Sequence, residues 1–241
     1  MRRPLKVAGV SVAVLLVVAS AGFYLWTRVA SYPAFPEAVA LAEQAETDDG
    51  WYVFEPDGEP TSGVVFYPGG LVDPAAYAPL MRRLSDGGVL AVIVSMPLDL
   101  AVLGVGRADR VIAAYPAVDS WVIGGHSLGG AMAAEYVKRN PDAVDGIVLL
   151  AAYPSDSTDL TALPIRAVSI YGTEDGVSGD VFEESLRRLP SGARLEVVEG
   201  GNHAQFGHYG PQKGDGTATI SRDEQQRHTA GIILESLEEL D

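Results

Sequence analysis

The sequence predicts an α/β protein built on a doubly wound, mostly parallel sheet, preceded by one apolar N-terminal helix. Two observations carry the sheet. Short Val/Ile-rich runs alternate with longer segments of helical period from about residue 63 onward, and the spacing between successive runs suits helical crossovers better than tight hairpins. Parallel neighbours need such crossovers, and these are right-handed. The strands are expected near 63–67, 89–95, 120–124, 146–151, 166–171 and 194–198. The helices are expected near 74–86, 100–114, 128–139, 180–189 and 224–239. Only Ala152 to Pro164 separates the fourth and fifth of these strands, which leaves no room for a large cap. In sheets of this kind ligands bind beyond the carboxyl ends of the strands, so the chemistry is sought in the loops that follow them.

The third observation is the N-terminus, where Val7 to Trp26 form 20 residues without a charge, enough as a helix to span a bilayer core. Arg2, Arg3 and Lys6 precede the run and Arg28 follows it, which places the N-terminus in the cytoplasm and the rest outside. A signal-anchor is expected. A cleaved signal is the alternative, since Ala19-Ser20-Ala21 resembles a cleavage site, but Phe23 to Trp26 prolong the apolar run beyond it. The Arg2-Arg3 pair also resembles part of a twin-arginine export signal. Residues 31–50 read as a linker with a short helix, because Pro33 and Pro36 interrupt the chain and Thr47 to Gly50 form a turn. The expected organisation is thus an N-terminal membrane segment over 1–30, a linker over 31–50 and one catalytic domain over 51–241.

Composition narrows the partners. The chain has 241 residues, enough for one sizeable core, and a formal net charge of -15, which offers nothing to a phosphate backbone. Nucleic acid is excluded as a partner. Lysine occurs only at 6, 138 and 213, a pattern shared by salt-adapted surfaces and by ordinary acidic proteins. Cysteine is absent, which removes disulfides, thiolate metal ligands and a cysteine nucleophile together. No His/Asp/Glu grouping has metal-ligand spacing, so neither metal nor cofactor is expected.

Gly125-His126-Ser127-Leu128-Gly129 matches G-x-S-x-G. With 27 glycines and 16 serines, chance alone supplies about 0.2 matches per chain, so context decides. Trp121 to Gly124 form a buried-strand run before the motif, and Leu128 to Arg139 a small-residue helix after it. Such a turn strains the serine backbone and presses strand against helix, which explains glycine at 125 and 129. It also leaves Ser127 exposed at the edge of the sheet, with the Leu128 N–H at a helix N-terminus facing the site.

A serine hydroxyl needs a positioned base, and that base an orienting acid. Asp175 follows one strand in Tyr171-Gly172-Thr173-Glu174-Asp175-Gly176, where Glu174 competes with it. His203 follows the last strand in Gly200-Gly201-Asn202-His203, where His208 lies further along the same loop. The order Ser, Asp, His results. His126 reads as a packing or hydrogen-bonding residue of the turn, and His228 as a surface residue of the last helix. The Gly-rich stretch 204–223, with Phe206 and Tyr209, is expected either to wall the substrate site or to be a loose surface loop.

Four segments carry a resemblance: Phe66 to Gly70, Gly124 to Gly130, Tyr171 to Gly176 and Gly201-Asn202-His203. From about Gly63 to Glu239 the chain resembles the small alpha/beta hydrolases of the fold-5 type, relatives of the dienelactone hydrolase group. The resemblance implies Ser127 as nucleophile, Asp175 as acid and His203 as base. It implies an oxyanion hole from the N–H of Leu128 and one in the turn after Tyr67, for which Gly70 is the choice and Leu71 the alternative. Pro68 departs from relatives that carry His there, and the cysteine nucleophile of dienelactone hydrolases has no counterpart. The expected function is hydrolysis of a carboxylic ester or related acyl bond in a small-molecule substrate. Acyl transfer through the same acyl-enzyme is one alternative, and a membrane-tethered binding protein without activity is another.

Overall fold

A computed structural model describes residues 3–48, 50–178 and 186–239, with the side chains of 3–13, 46 and 48 outside the description. The chain forms two units, 1–31 and 32–241. In the first, helix α1 runs over Arg3–Ala30. Along it Val14, Leu15, Leu16, Val17, Val18 and Leu25 are exposed. Among the described residues no helix is long and apolar enough to cross a membrane. The membrane span expected over 7–26 is therefore unsupported, and its first seven side chains lie outside the described residues.

The second unit is one eight-stranded sheet. The strands are β1 (Glu46–Asp48), β2 (Trp51–Phe54), β3 (Ser62–Tyr67), β4 (Leu90–Val94), β5 (Ser120–His126), β6 (Gly146–Leu150), β7 (Arg166–Gly172) and β8 (Arg194–Val198). Their order across the sheet is β1-β2-β4-β3-β5-β6-β7-β8. From β3 to β8 every pairing is parallel, whereas β1 and β2 run antiparallel at the edge. The sequence reading missed these two. They are three and four residues long and pair antiparallel with each other, so no helical crossover marks them.

Among the described residues five helices cover the sheet: α2 (Pro36–Ala42), α3 (Ala78–Asp86), α4 (Ala108–Ala114), α5 (Leu128–Arg139) and α6 (Arg222–Glu238). Alternate residues of β3 enter two different cores. Val64 and Phe66 join Leu80, Leu84, Ile233 and Leu237, while Val65 and Tyr67 join Val111, Ala133, Tyr136 and Val137. A strand buried on both faces has no polar side, which is why these runs read as continuously apolar. Two expected helices differ. The segment 100–114 breaks into 3-10 turns before α4, where Gly104 and Gly106 interrupt it. The helix expected at 180–189 falls largely on residues outside the described ones, and Leu186–Arg188 is a 3-10 turn.

The stretch 31–50 is more than a linker. α2 buries Ala38 and Ala42, four residues apart on one helix face. Tyr32 N–H donates to Leu71 O, and Tyr32 O accepts from Asp73 N. The folded unit thus begins at Tyr32, earlier than the expected boundary at Trp51. The alternation of Pro and Ala in the sequence hid this, because the apolar surface involved is small.

Candidate active site

The sheet reverses direction of winding at β3, whose neighbours are β4 on one side and β5 on the other. This is the switch point at which α/β sheets open a crevice. Tyr67 lies in register with Gly125, so the turn after β3 adjoins the turn after β5. His126 pairs with Leu150, and Leu150 with Ile170, so the ends of β6 and β7 continue the same rim.

Between β5 and α5, Ser127 is held at φ 52° and ψ -122°, a conformation that side chains avoid. Two glycines make the turn physically feasible. A Cβ at Gly125 would lie 2.5 Å from the backbone of Gly129 and Gly130, and one at Gly129 would lie 2.1 Å from Tyr67 O. Ser127 N–H donates to Leu150 O at 3.0 Å, which fixes the turn against β6.

Asp175 and His203 meet. Asp175 Oδ2 lies 3.0 Å from His203 Nδ1, with the two side chains only 3% and 1% exposed. Asp175 Oδ1 accepts from the N–H groups of Val177 and Ser178, both at 2.9 Å, and Ser178 Oγ donates to Oδ2 at 2.9 Å. Burial pushes the Asp175 carboxyl up. The His203 hydrogen bond and charge, with the Ser178 donors, outweigh it and bring the carboxyl down to about 2. A carboxylate at Nδ1 places the imidazole proton there, a tautomer assigned from the network, and leaves Nε2 as the acceptor.

Ser127 and His203 line one cavity of about 270 Å³, together with Leu128, Ala151, Tyr153 and Ser178. His203 Nε2 is buried with no hydrogen-bond partner among the described residues, so Ser127 Oγ does not bond it directly. Bonds of this kind often tighten only around a substrate. Glu174 lies apart from His203, its carboxylate accepting from Thr173 Oγ1 at 3.4 Å. His208 also lies apart, 3.6 Å from Glu37.

The turn after β3 offers three N–H groups near this cavity. Gly69 N–H donates to Tyr77 Oη at 3.0 Å, and Leu71 N–H donates to Asp99 O at 2.7 Å. Gly70 N–H has no partner among the described residues. A Cβ on Gly70 would stand 2.9 Å from Leu128 Cδ2, so the turn presses directly on the start of α5.

The long loop after His203 has a different role from the expected substrate wall. Phe206 and Tyr209 are fully buried in the core and do not line the cavity, because their rings pack behind His126. Asp215 ties the loop down. Its carboxylate accepts from the N–H groups of His203 at 3.1 Å, Ala204 at 2.8 Å and, more loosely, Gly176 at 3.4 Å, joining the base turn to the acid turn. Sequence reading missed Asp215, which stands 12 residues from His203 with no motif between them. It missed Ser178 too, although a serine three residues after a turn aspartate is a recognisable capping arrangement.

A parallel sheet with a strained serine turn at its carboxyl edge defines the class of protein. The match to the Alpha/beta hydrolase family runs over residues 63–227; the chain belongs to that family and is accordingly a hydrolase. A comparison with curated protein sequences finds none that matches. Solved structures share the fold at low identity. A thermophilic esterase from Thermogutta terrifontis, in propionate-bound form, is 19% identical with a TM-score of 0.57, covering 79% of this chain and 89% of its own. Dienelactone hydrolase from Anabaena variabilis is 17% identical with a TM-score of 0.60, covering 78% and 90%. Est1E from Butyrivibrio proteoclasticus is 11% identical with a TM-score of 0.59, covering 80% and 97%.

The Asp175 environment sets a pH dependence of stability. Its carboxyl is lowered from 3.8 to about 2 on folding, so the stabilisation is complete above 3.8 and is lost as pH falls toward 2. Urea midpoints should therefore show wild type losing stability relative to Asp175→Asn across that window. A difference between the two proteins that stays constant from pH 5 to 2 would contradict the assignment.

Proposed function

We propose that the protein hydrolyses a carboxylic ester or a related acyl bond of a small molecule through an acyl-enzyme on Ser127. The observation that carries this reading is the shared cavity, into which Ser127 and the Asp175-oriented His203 both open. His203 Nε2 takes the hydroxyl proton as Ser127 Oγ attacks the carbonyl carbon, and the carbonyl π electrons move to oxygen. The N–H groups of Leu128 and Gly70 receive that oxyanion, Leu128 with the positive end of the α5 dipole behind it. His203 returns the proton to the departing alkoxide. Water then adds to the acyl-enzyme by the same route and releases the acid, with His203 once more passing the proton. Asp175 stays ionised throughout and stabilises the imidazolium. Apart from substrate and water, these steps use only groups of this chain. The esterases among the structural neighbours agree with this reading.

A fluorophosphonate probe should attach to Ser127 alone among the 16 serines, because only an activated hydroxyl reacts quickly. Ser127→Ala should abolish both labelling and turnover without unfolding. His203→Ala should lower kcat by about 10⁴-fold or more. His208→Ala should change it little. Labelling at another serine, or full activity in Ser127→Ala, would refute the reading.

We further propose that the N-terminal segment directs the hydrolase unit to the outer side of a membrane, where it stays attached or is released by cleavage. Basic residues at 2, 3 and 6 precede the uncharged run, and the apolar side chains of α1 are exposed to solvent. Protease added to intact cells should digest the unit from Tyr32 onward. A chain lacking residues 1–31 should hydrolyse esters from the soluble fraction. Protection from protease until the membrane is permeabilised would overturn the location.

A further inference from the structure

His126, the residue before the nucleophile, is fully buried, and the mechanism above gives it no task. Its Nδ1 lies 2.8 Å from Tyr77 Oη, and Tyr77 is itself fully buried at the end of the 3-10 turn Pro74–Tyr77. Tyr77 Oη also accepts the Gly69 N–H at 3.0 Å. The direction of this relay is assigned from the network. A backbone N–H can only donate, so of the two atoms bonded to Tyr77 Oη only His126 Nδ1 can accept the phenol proton.

The protonation states agree with that direction. Burial holds the Tyr77 phenol far above its ordinary value, so it keeps its proton. Burial, and next the charge of His203, hold the His126 imidazole well below the usual range, so it is neutral and can accept. Its remaining proton is then on Nε2 by elimination, an atom that is buried with no hydrogen-bond partner among the described residues. The fit is close: a Cβ at Gly69 would lie 2.9 Å from both His126 Nδ1 and Tyr77 Oη. Phe66 packs on the Tyr77 ring at 4.9 Å and His203 on the His126 ring at 4.5 Å, so neither side chain is free to swing.

The turn after β3 is therefore pinned on both sides of Gly70. Tyr77 holds residue 69, and Asp99 O, at φ 56° in its own strained turn, holds Leu71 N–H at 2.7 Å. We infer that Tyr77 and His126 are positioning residues, a buried relay that fixes the Gly69–Gly70 turn against the Ser127 elbow and so presents Gly70 N–H to the developing oxyanion. The inference rests on the ester hydrolysis proposed above. It gives a task to the histidine of Gly125-His126-Ser127 and a reason for glycine at 69. Tyr77 touches neither the base nor the nucleophile, so its hydroxyl acts on the transition state through the turn, whereas His126 also packs on the ring of the base.

Tyr77→Phe keeps the ring and deletes only the hydroxyl. With p-nitrophenyl butyrate, kcat should fall about tenfold or more while KM changes less than about threefold, since an oxyanion donor acts mainly on the transition state. Affinity for an alkyl trifluoromethyl ketone, which forms a tetrahedral adduct, should fall by a similar factor. The pH profile of kcat/KM should keep its midpoint, because Tyr77 makes no bond to either His203 or Asp175. A second pair of variants guards against simple loss of packing. His126→Asn keeps a polar atom near the Nδ1 position and should retain more activity than His126→Leu. Unchanged kcat and ketone affinity in folded Tyr77→Phe, or equal activities of the two His126 variants, would overturn the relay while leaving Ser127 chemistry standing. A wild type that neither hydrolyses the ester nor reacts with a fluorophosphonate would overturn the hydrolase reading and the relay with it.

Discussion

The close approach of α5 to the end of β3 is the constraint on which the site depends. Gly129 sits so near Tyr67 and Pro68 that a methyl group there would stand 2.1 Å from one carbonyl and 2.3 Å from the other. That contact forces Ser127 into a positive φ and lifts its hydroxyl above the sheet edge. It also brings the first N–H of α5 beside the turn at 69–71. A larger residue at 129 would separate nucleophile from turn, and backbone strain of order 1–3 kcal/mol would have been stored to no purpose. Both buried faces of the sheet pay this cost through packing of β3 and β5.

Around that contact, carboxylates do the positioning. Asp175 is nearly inaccessible to water and remains ionised because His203, Val177 and Ser178 all donate to it. A buried carboxylate lacking those donors would take up a proton and release the imidazole. Asp215 plays the corresponding part for the backbone, accepting N–H groups at the base turn and, more weakly, from the acid turn. The segment 204–223 is thus a clamp behind the base, and its aromatic rings belong to the core. Tyr77 and His126 extend the same logic to the turn after β3.

How much of this was legible in the sequence varied with the range of the interaction. Five of the six parallel strands were visible as apolar runs, since burial on both faces leaves a continuous signal over five to seven residues, while the edge strand β8 showed through its Leu and Val residues although Leu195 and Val197 are exposed. β1 and β2 were too short for any period to show. Ser127 was legible because its constraint is local, two glycines within two residues on either side. Asp175 and His203 were legible as turn residues after strands, although nothing local separated Asp175 from Glu174. Gly70 was chosen over Leu71 by resemblance alone, because the bond that occupies the Leu71 N–H comes from Asp99, 28 positions away. Asp215 and Tyr77 were silent for the same reason. In the segment 31–50 the short helix was legible but its docking was not, since only Ala38 and Ala42 mark the face that packs.

The proposed chemistry requires Ser127 to stand within reach of two fixed backbone donors, those of Gly70 and Leu128. The most direct measurement is a crystal structure of the protein after reaction with a fluorophosphonate. Phosphorus should be bonded to Ser127 Oγ, with the phosphoryl oxygen about 2.7–3.1 Å from both the Gly70 and Leu128 nitrogens. A phosphoryl oxygen directed to solvent, or bonded instead to the N–H of Leu71 after rearrangement of the turn, would contradict it.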